Sequence, residues 1–98
     1  MGEADEVLRR KLHFRAWHRG TCEADLLMGS FADRHLQAFS DEELRQFESL
    51  LDQSDPEIDD WMTGRLPVPH EYATHVMALL MRFYAASASG GATFSAAY

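Results

Sequence analysis

The stretch "FSDEELRQFESLLDQSDPEIDDWMTG", Phe39 to Gly64, fixes the fold class. Ser40 and Glu43 have the S-x-x-E spacing of a capping box, in which hydroxyl and carboxylate each satisfy an otherwise unpaired backbone N–H. Phe39 before the cap and Leu44 at the fourth helical position make a hydrophobic staple. Leu44, Phe47 and Leu51 then recur at i, i+3 and i+7, the spacing that turns one helix face to a core. A second start follows at "SDPE". There Ser54 or Asp55 caps, and Pro56 suits the first turn, where a missing N–H costs nothing. Ile58, Trp61 and Met62 form the next apolar face, and Gly64 ends it.

Working outward, a helix is expected from about Ala4 to His18, with Leu8, Leu12 and Ala16 on one face beside Trp17. Gly20 follows it, where helix ends often need a left-handed residue. A second is expected from about Cys22 to Gln37, with Leu27, Phe31 and His35 in one stripe flanked by Met28 and Leu36. Gly29 lies inside it, where glycine costs about 1 kcal/mol against alanine. It marks a close backbone approach, to a neighbouring helix or to a partner, with helix packing favoured. "RLPVP" is an extended connector, because proline pushes the residue before it out of helical geometry. A last helix is expected from about Glu71 to Ala85, with Tyr72, Val76, Leu79, Leu80 and Phe83 in its stripe. No strand-like alternation and no internal repeat occurs. The expected architecture is all-α, a compact bundle of about five short helices. It forms one domain over residues 1–86, followed by a flexible C-terminal tail over 87–98, where "SASGGATFSAAY" is poor in bulky apolar residues.

The chain has 98 residues, 46% hydrophobic, with a net charge of −7. That length supports one modest core, burying roughly 60–65% of the unfolded surface. The acidic total argues against nucleic acid as the main partner. The charge is uneven. Arg9, Arg10, Lys11, Arg15 and Arg19 lie in one short segment, whereas residues 41–60 hold nine acids and one base, Arg45. A bipolar surface of this kind suits steering toward a protein. A single cysteine points to a reducing compartment. The longest apolar run, "VMALLM", is too short to span a bilayer, and the acidic start "MGEADE" opposes a secretory or mitochondrial leader. A cytoplasmic protein of bacterial type, not membrane-bound, is the simplest expectation.

Candidate chemistry is sparse. His13, His18, Cys22 and His35 follow no standard zinc spacing, and His70 and His75 are off the i, i+4 spacing of two ligands on one helix face. No metal site is expected. Cys22 beside Arg19 and His18 has some of the ingredients of a thiol nucleophile, but nothing supplies an oxyanion site or an orienting acid. Helix-turn-helix DNA binding fails on the acidic total and on the lack of a basic second helix. No dinucleotide fingerprint is present, so no stably bound cofactor is expected. "RGTCE", Arg19 to Glu23, reads first as helix punctuation. A cation closes one helix, glycine turns the chain, and an anion opens the next. The same turn is expected to hold Arg19 and Glu23 outward as a donor and acceptor pair for another protein.

The string from Leu12 to Pro69, "LHFRAWHRGTCEADLLMGSFADRHLQAFSDEELRQFESLLDQSDPEIDDWMTGRLPVP", resembles the FAD assembly factor family of succinate dehydrogenase, which has bacterial and mitochondrial members. The resemblance covers about residues 8–84. It is carried by R-G-x-x-E (Arg19, Gly20, Glu23), continued by Asp25, Leu26, Leu27 and Gly29, and by "FSDEEL", "WMTG" and "PVP" in order. It implies a five-helix bundle and a non-enzymatic assembly chaperone. That chaperone would bind the flavoprotein subunit of succinate dehydrogenase, and often of fumarate reductase, and promote covalent attachment of FAD to it. The FAD then belongs to the partner. The implied contact residues are Arg19, Gly20 and Glu23, with Asp25 and Gly29 as weaker assignments. Cys22 sits at a variable position of the pattern, and the residues after Ala85 lie outside it. The competing readings are an acidic regulatory or antitoxin-like adaptor working through residues 41–60, and a small thiol or metal protein centred on Cys22. The chain is expected to be a monomer when free.

Overall fold

A computed structural model describes residues 3–90, and the side chains of residues 5–87 within them. Five α-helices are present: α1 (Glu3–Trp17), α2 (Cys22–His35), α3 (Asp41–Leu51), α4 (Asp55–Thr63) and α5 (His75–Gly90). Short 3-10 turns, Leu36–Ala38 and His70–Tyr72, follow α2 and precede α5. No strand occurs among the described residues.

The stretch that decides the fold behaves as its sequence predicts. Ser40 and Ser54 each cap a helix, and Glu43 and Glu57 complete both capping boxes. Asp55 is thus the first residue of α4, not its cap. Gly64 ends α4 at φ +79, a conformation that L side chains rarely adopt. Leu44, Phe47 and Leu51 are buried with Leu12, Ala16, Met28, Phe31, Ile58, Trp61, Val76 and Leu80 in one core. α1 packs on α2 and α3, and α3 also packs on α5.

Two boundaries differ from the sequence reading. The last helix starts at His75, four residues later than expected. Thr74 accepts from the Met77 N–H at 3.2 Å and acts as a cap. Ala73 between the two segments has φ −82 and ψ 67, outside the helical region. Tyr72 still reaches the core side, with its ring 5.2 Å from that of Trp61. At its other end α5 runs to Gly90, so the first residues assigned to a tail are helical. Residues 91–98 lie outside the described ones.

Gly29 is explained by packing. A Cβ built there would lie 2.1 Å from Cδ2 of Trp17. The indole of α1 therefore lies directly against the α2 backbone. Its N–H points to Asp33 Oδ1 at 3.4 Å, and His13 Nε2 donates to the same oxygen at 2.6 Å. Gly29 is buried, so it offers no surface of its own to a partner.

The charge asymmetry also resolves differently. Arg15 of α1 pairs with Asp52 just after α3 at 2.7 Å, and Arg19 pairs with Asp55 at 2.8 Å. Arg65 spans Asp59 and Asp60. Much of the basic segment faces the acidic one within the molecule, so the two are not opposite poles.

Two predictions follow from this packing. Gly29→Ala should lower the unfolding free energy by about 1–3 kcal/mol through overpacking against Trp17. On a Trp17→Ala background the same change should be neutral or stabilising by up to about 1 kcal/mol, the helix propensity gain. Urea denaturation of the four proteins checks the change of sign. The second concerns His35, whose ring lies 4.7 Å from Phe31 and 6.2 Å from Phe39. Burial, helped by neighbouring Arg34, holds it below its ordinary value of 6.5. Its contribution is therefore complete above the unfolded value and is lost as pH falls below it. The stability difference between the wild type and His35→Gln should be constant above about pH 7 and shrink on acidification. A difference that grew on acidification would contradict this.

Candidate functional site

The site is the turn joining α1 to α2, and its conformation is set locally. Gly20 has φ +116, and a Cβ there would meet nothing within 4 Å. The glycine is thus required by backbone conformation, not by crowding. Asp25, in the first turns of α2, reaches back and accepts from the N–H of both Arg19 and Gly20 through Oδ1. Thr21 is the cap of α2 and accepts from the Ala24 N–H at 3.2 Å. Three successive residues of the turn are therefore tied to the start of α2.

Arg19 does not point outward as the sequence suggested. Its side chain is only 8% exposed, against 30% for its partner Asp55. Nη1 donates to the Leu51 carbonyl, Nη2 to the Gln53 carbonyl, and Nε to Asp55 Oδ1 at 2.8 Å. Leu51 is the last residue of α3, and the carbonyls of a final turn have no partner within their own helix. The guanidinium supplies donors and a positive charge where the helix dipole is negative. Across a three-residue gap it also meets the negative side chain that opens α4. One arginine thus pins the α1–α2 turn to the α3–α4 junction. This corrects the expectation of an outward-held guanidinium, since three internal acceptors engage it in the free chain.

Arg9, near the middle of α1, does the same where α2 runs out. Its Nε donates to the Leu36 carbonyl at 3.3 Å and its Nη2 to the Phe39 carbonyl at 2.8 Å.

What remains outward is Glu23, exposed in the first turn of α2 with no hydrogen bond or ion pair among the described residues. Gly20, Thr21 and Cys22 are exposed beside it. Asp25 is half-buried and engaged by the turn. The five sequence-predicted residues therefore divide by role. Gly20 and Glu23 form the surface, Arg19 and Asp25 support it, and Gly29 packs beneath Trp17. The histidines are dispersed. His18 Nδ1 donates to the Phe14 carbonyl at 2.7 Å, His13 faces Asp33, and His35 sits among aromatic rings. Among the described residues no group of three or more His, Cys, Asp or Glu side chains is arranged to hold a metal ion, and no helix is long and apolar enough to cross a membrane. A cavity of about 210 Å³ lies between α3 and the 3-10 turn before α5. It is lined by Glu42, Arg45, Gln46 and Tyr72 among others, and falls below the roughly 300–1,000 Å³ of most small-molecule pockets.

Sequence reasoning missed Asp55 as the partner of Arg19. The signal was faint, since 36 residues separate them and the only hint was an acid at a helix start following a helix with no cation in its last turn. Thr21 as a cap was legible in principle, because threonine directly precedes the helix.

A family model described as "Flavinator of succinate dehydrogenase" matches residues 10–84, three-quarters of the chain and all of this site. The chain belongs to that family. The FAD assembly factor SdhE of Acetobacter pasteurianus is 48% identical over 69 residues, covering 70% of this chain and 63% of its own length. The mitochondrial succinate dehydrogenase assembly factor 2 of Dictyostelium discoideum is 40% identical over 75 residues, covering 76% of this chain and 53% of its own. That of Debaryomyces hansenii is 36% identical over 84 residues, covering 83% and 59%. The chain thus spans about half to three-fifths of the length of these three relatives.

Removal of the Arg19 clamp should be costly. Arg19→Met should destabilise by about 2–4 kcal/mol, because two carbonyls and a half-buried carboxylate lose their donor. Asp55→Asn should cost less, about 1 kcal/mol, since Asp55 keeps access to water. The double variant should be less unstable than the sum, by about 1 kcal/mol or more. Denaturant melts of the cycle test this, and strict additivity would contradict the clamp.

Proposed function

We propose that this chain is a protein-binding assembly factor for the flavoprotein subunit of succinate dehydrogenase, and also of fumarate reductase, and that it promotes covalent attachment of FAD to that subunit. The observation that carries the reading is the exposed Glu23 beside Gly20, unpaired among the described residues, on a turn that Asp25 and the Arg19 clamp hold in one conformation. A free carboxylate on a rigid turn meets a partner's donor with little ordering cost. The family membership and the names of the relatives support succinate dehydrogenase as that partner.

The mechanism follows from binding alone. A helper that binds one conformation of a flexible partner better than the others raises that conformation's population. If that arrangement brings the flavin and the accepting side chain together, attachment proceeds with the partner's own groups. This chain then needs no catalytic residue, and FAD ends on the partner. The helper works as a monomer in the cytoplasm. Cys22 is a bystander at a variable position.

Co-expression with a succinate dehydrogenase flavoprotein subunit of the same source tests this, read as flavin fluorescence of the denatured subunit on a gel. The signal should rise with the wild-type chain. Glu23→Ala should cost at most about 1 kcal/mol of stability yet lose most of the flavin gain. Equal fluorescence with and without the wild-type chain would overturn the reading. Full activity of Glu23→Ala would move the contact elsewhere.

A further inference from the structure

We infer that the outer face of α1 is a second part of the docking surface, and that it fits an apolar pocket with an acidic rim on the partner flavoprotein. This rests on the assembly-factor reading above. Val7, Lys11, Phe14 and His18 recur at i, i+4, i+7 and i+11, on the side of α1 opposite Leu12 and Ala16. Val7 is 57% and Phe14 62% exposed, the largest such values among the exposed large hydrophobic residues described.

The face has two further properties. Its aromatic group is held in place. The Phe14 and His18 rings stack with centroids 3.9 Å apart and planes 16° apart, and His18 is fixed by its hydrogen bond to the Phe14 carbonyl. A pre-ordered exposed aromatic makes a good anchor, because little rotamer freedom is lost on binding. The face is also positive. Of the five cations between residues 9 and 19, Arg9, Arg15 and Arg19 are engaged inside the molecule. Arg10 and Lys11 are exposed, with no partner among the described residues; Lys11 lies within the stripe and Arg10 beside it. On a chain of net charge −7, an acidic partner surface is repelled over most approaches and attracted here. His18 leads directly into the Arg19–Glu23 turn, so the two surfaces are continuous along the chain.

The test is binding of the full chain to the purified flavoprotein subunit, followed kinetically. Phe14→Ala should weaken affinity by about tenfold or more, mainly through faster dissociation, with the thermal midpoint unchanged. Arg10→Glu with Lys11→Glu should slow association and flatten its salt dependence. Arg82→Glu, exposed on α5, should change neither. Wild-type affinity for Phe14→Ala, within about twofold, overturns the docking face and leaves the assembly-factor reading intact. Failure of the wild-type chain to bind the subunit at all overturns both. Two further results would overturn it in favour of another occupant. One is a wild-type dimer in sedimentation velocity that Phe14→Ala converts to monomer. The other is binding to vesicles of equal phosphatidylcholine and phosphatidylglycerol that Phe14→Ala abolishes.

Discussion

The guanidinium of Arg19 is the contact on which the arrangement of the site depends. It fills the open end of α3, meets the acid that begins α4, and closes the turn between α1 and α2. A helix end left without donors, a carboxylate at a helix start and a chain reversal would each need a separate solution. Here one planar, always-charged group with five donors serves all three. Lysine has no such fork, and a neutral side chain leaves carbonyls unpaired. Arg9 repeats the arrangement at the end of α2. α1 and the turn after it thus carry arginines that bond the ends of α2 and α3, while Leu12 and Ala16 bury the inner side of α1.

This arrangement separates the residue that positions the turn from the one that faces solvent. Arg19 and Glu23 lie within one short sequence pattern, but physically they belong to different surfaces. The arginine faces inward and sets where the turn sits, and the glutamate faces solvent. Gly20 has the positive φ that makes the reversal possible. The same division accounts for Gly29 and Asp25, one beneath the Trp17 ring and the other on two backbone N–H groups. A surface built in this way is rigid before it meets anything, which suits a helper that selects one conformation of a larger protein.

Most of the fold was legible because it rests on local rules. Ser40 with Glu43, the apolar spacing of α3, Pro56 and Gly64 are all read within a few residues of where they act. The start of α5 was misplaced because Tyr72 keeps helical spacing with Val76 although Ala73 breaks the helix between them. Periodicity alone cannot see that break. The extension to Gly90 was missed because small residues signal a tail when packing and neighbours are unknown. The orientation of Arg19 was misread for a different reason. Whether an arginine faces in or out depends on acceptors brought close by the fold, and Leu51, Gln53 and Asp55 are more than 30 residues away. The apparent separation of basic and acidic segments failed likewise, since folding places Arg15 and Arg19 against Asp52 and Asp55.

The most direct measurement is the structure of this chain bound to a succinate dehydrogenase flavoprotein subunit. The account predicts that the Arg19 guanidinium keeps its bonds to the Leu51 and Gln53 carbonyls and to Asp55, while the Glu23 carboxylate accepts from a donor of the partner. An Arg19 side chain swung out into the interface, with the end of α3 left without its donors, would contradict it.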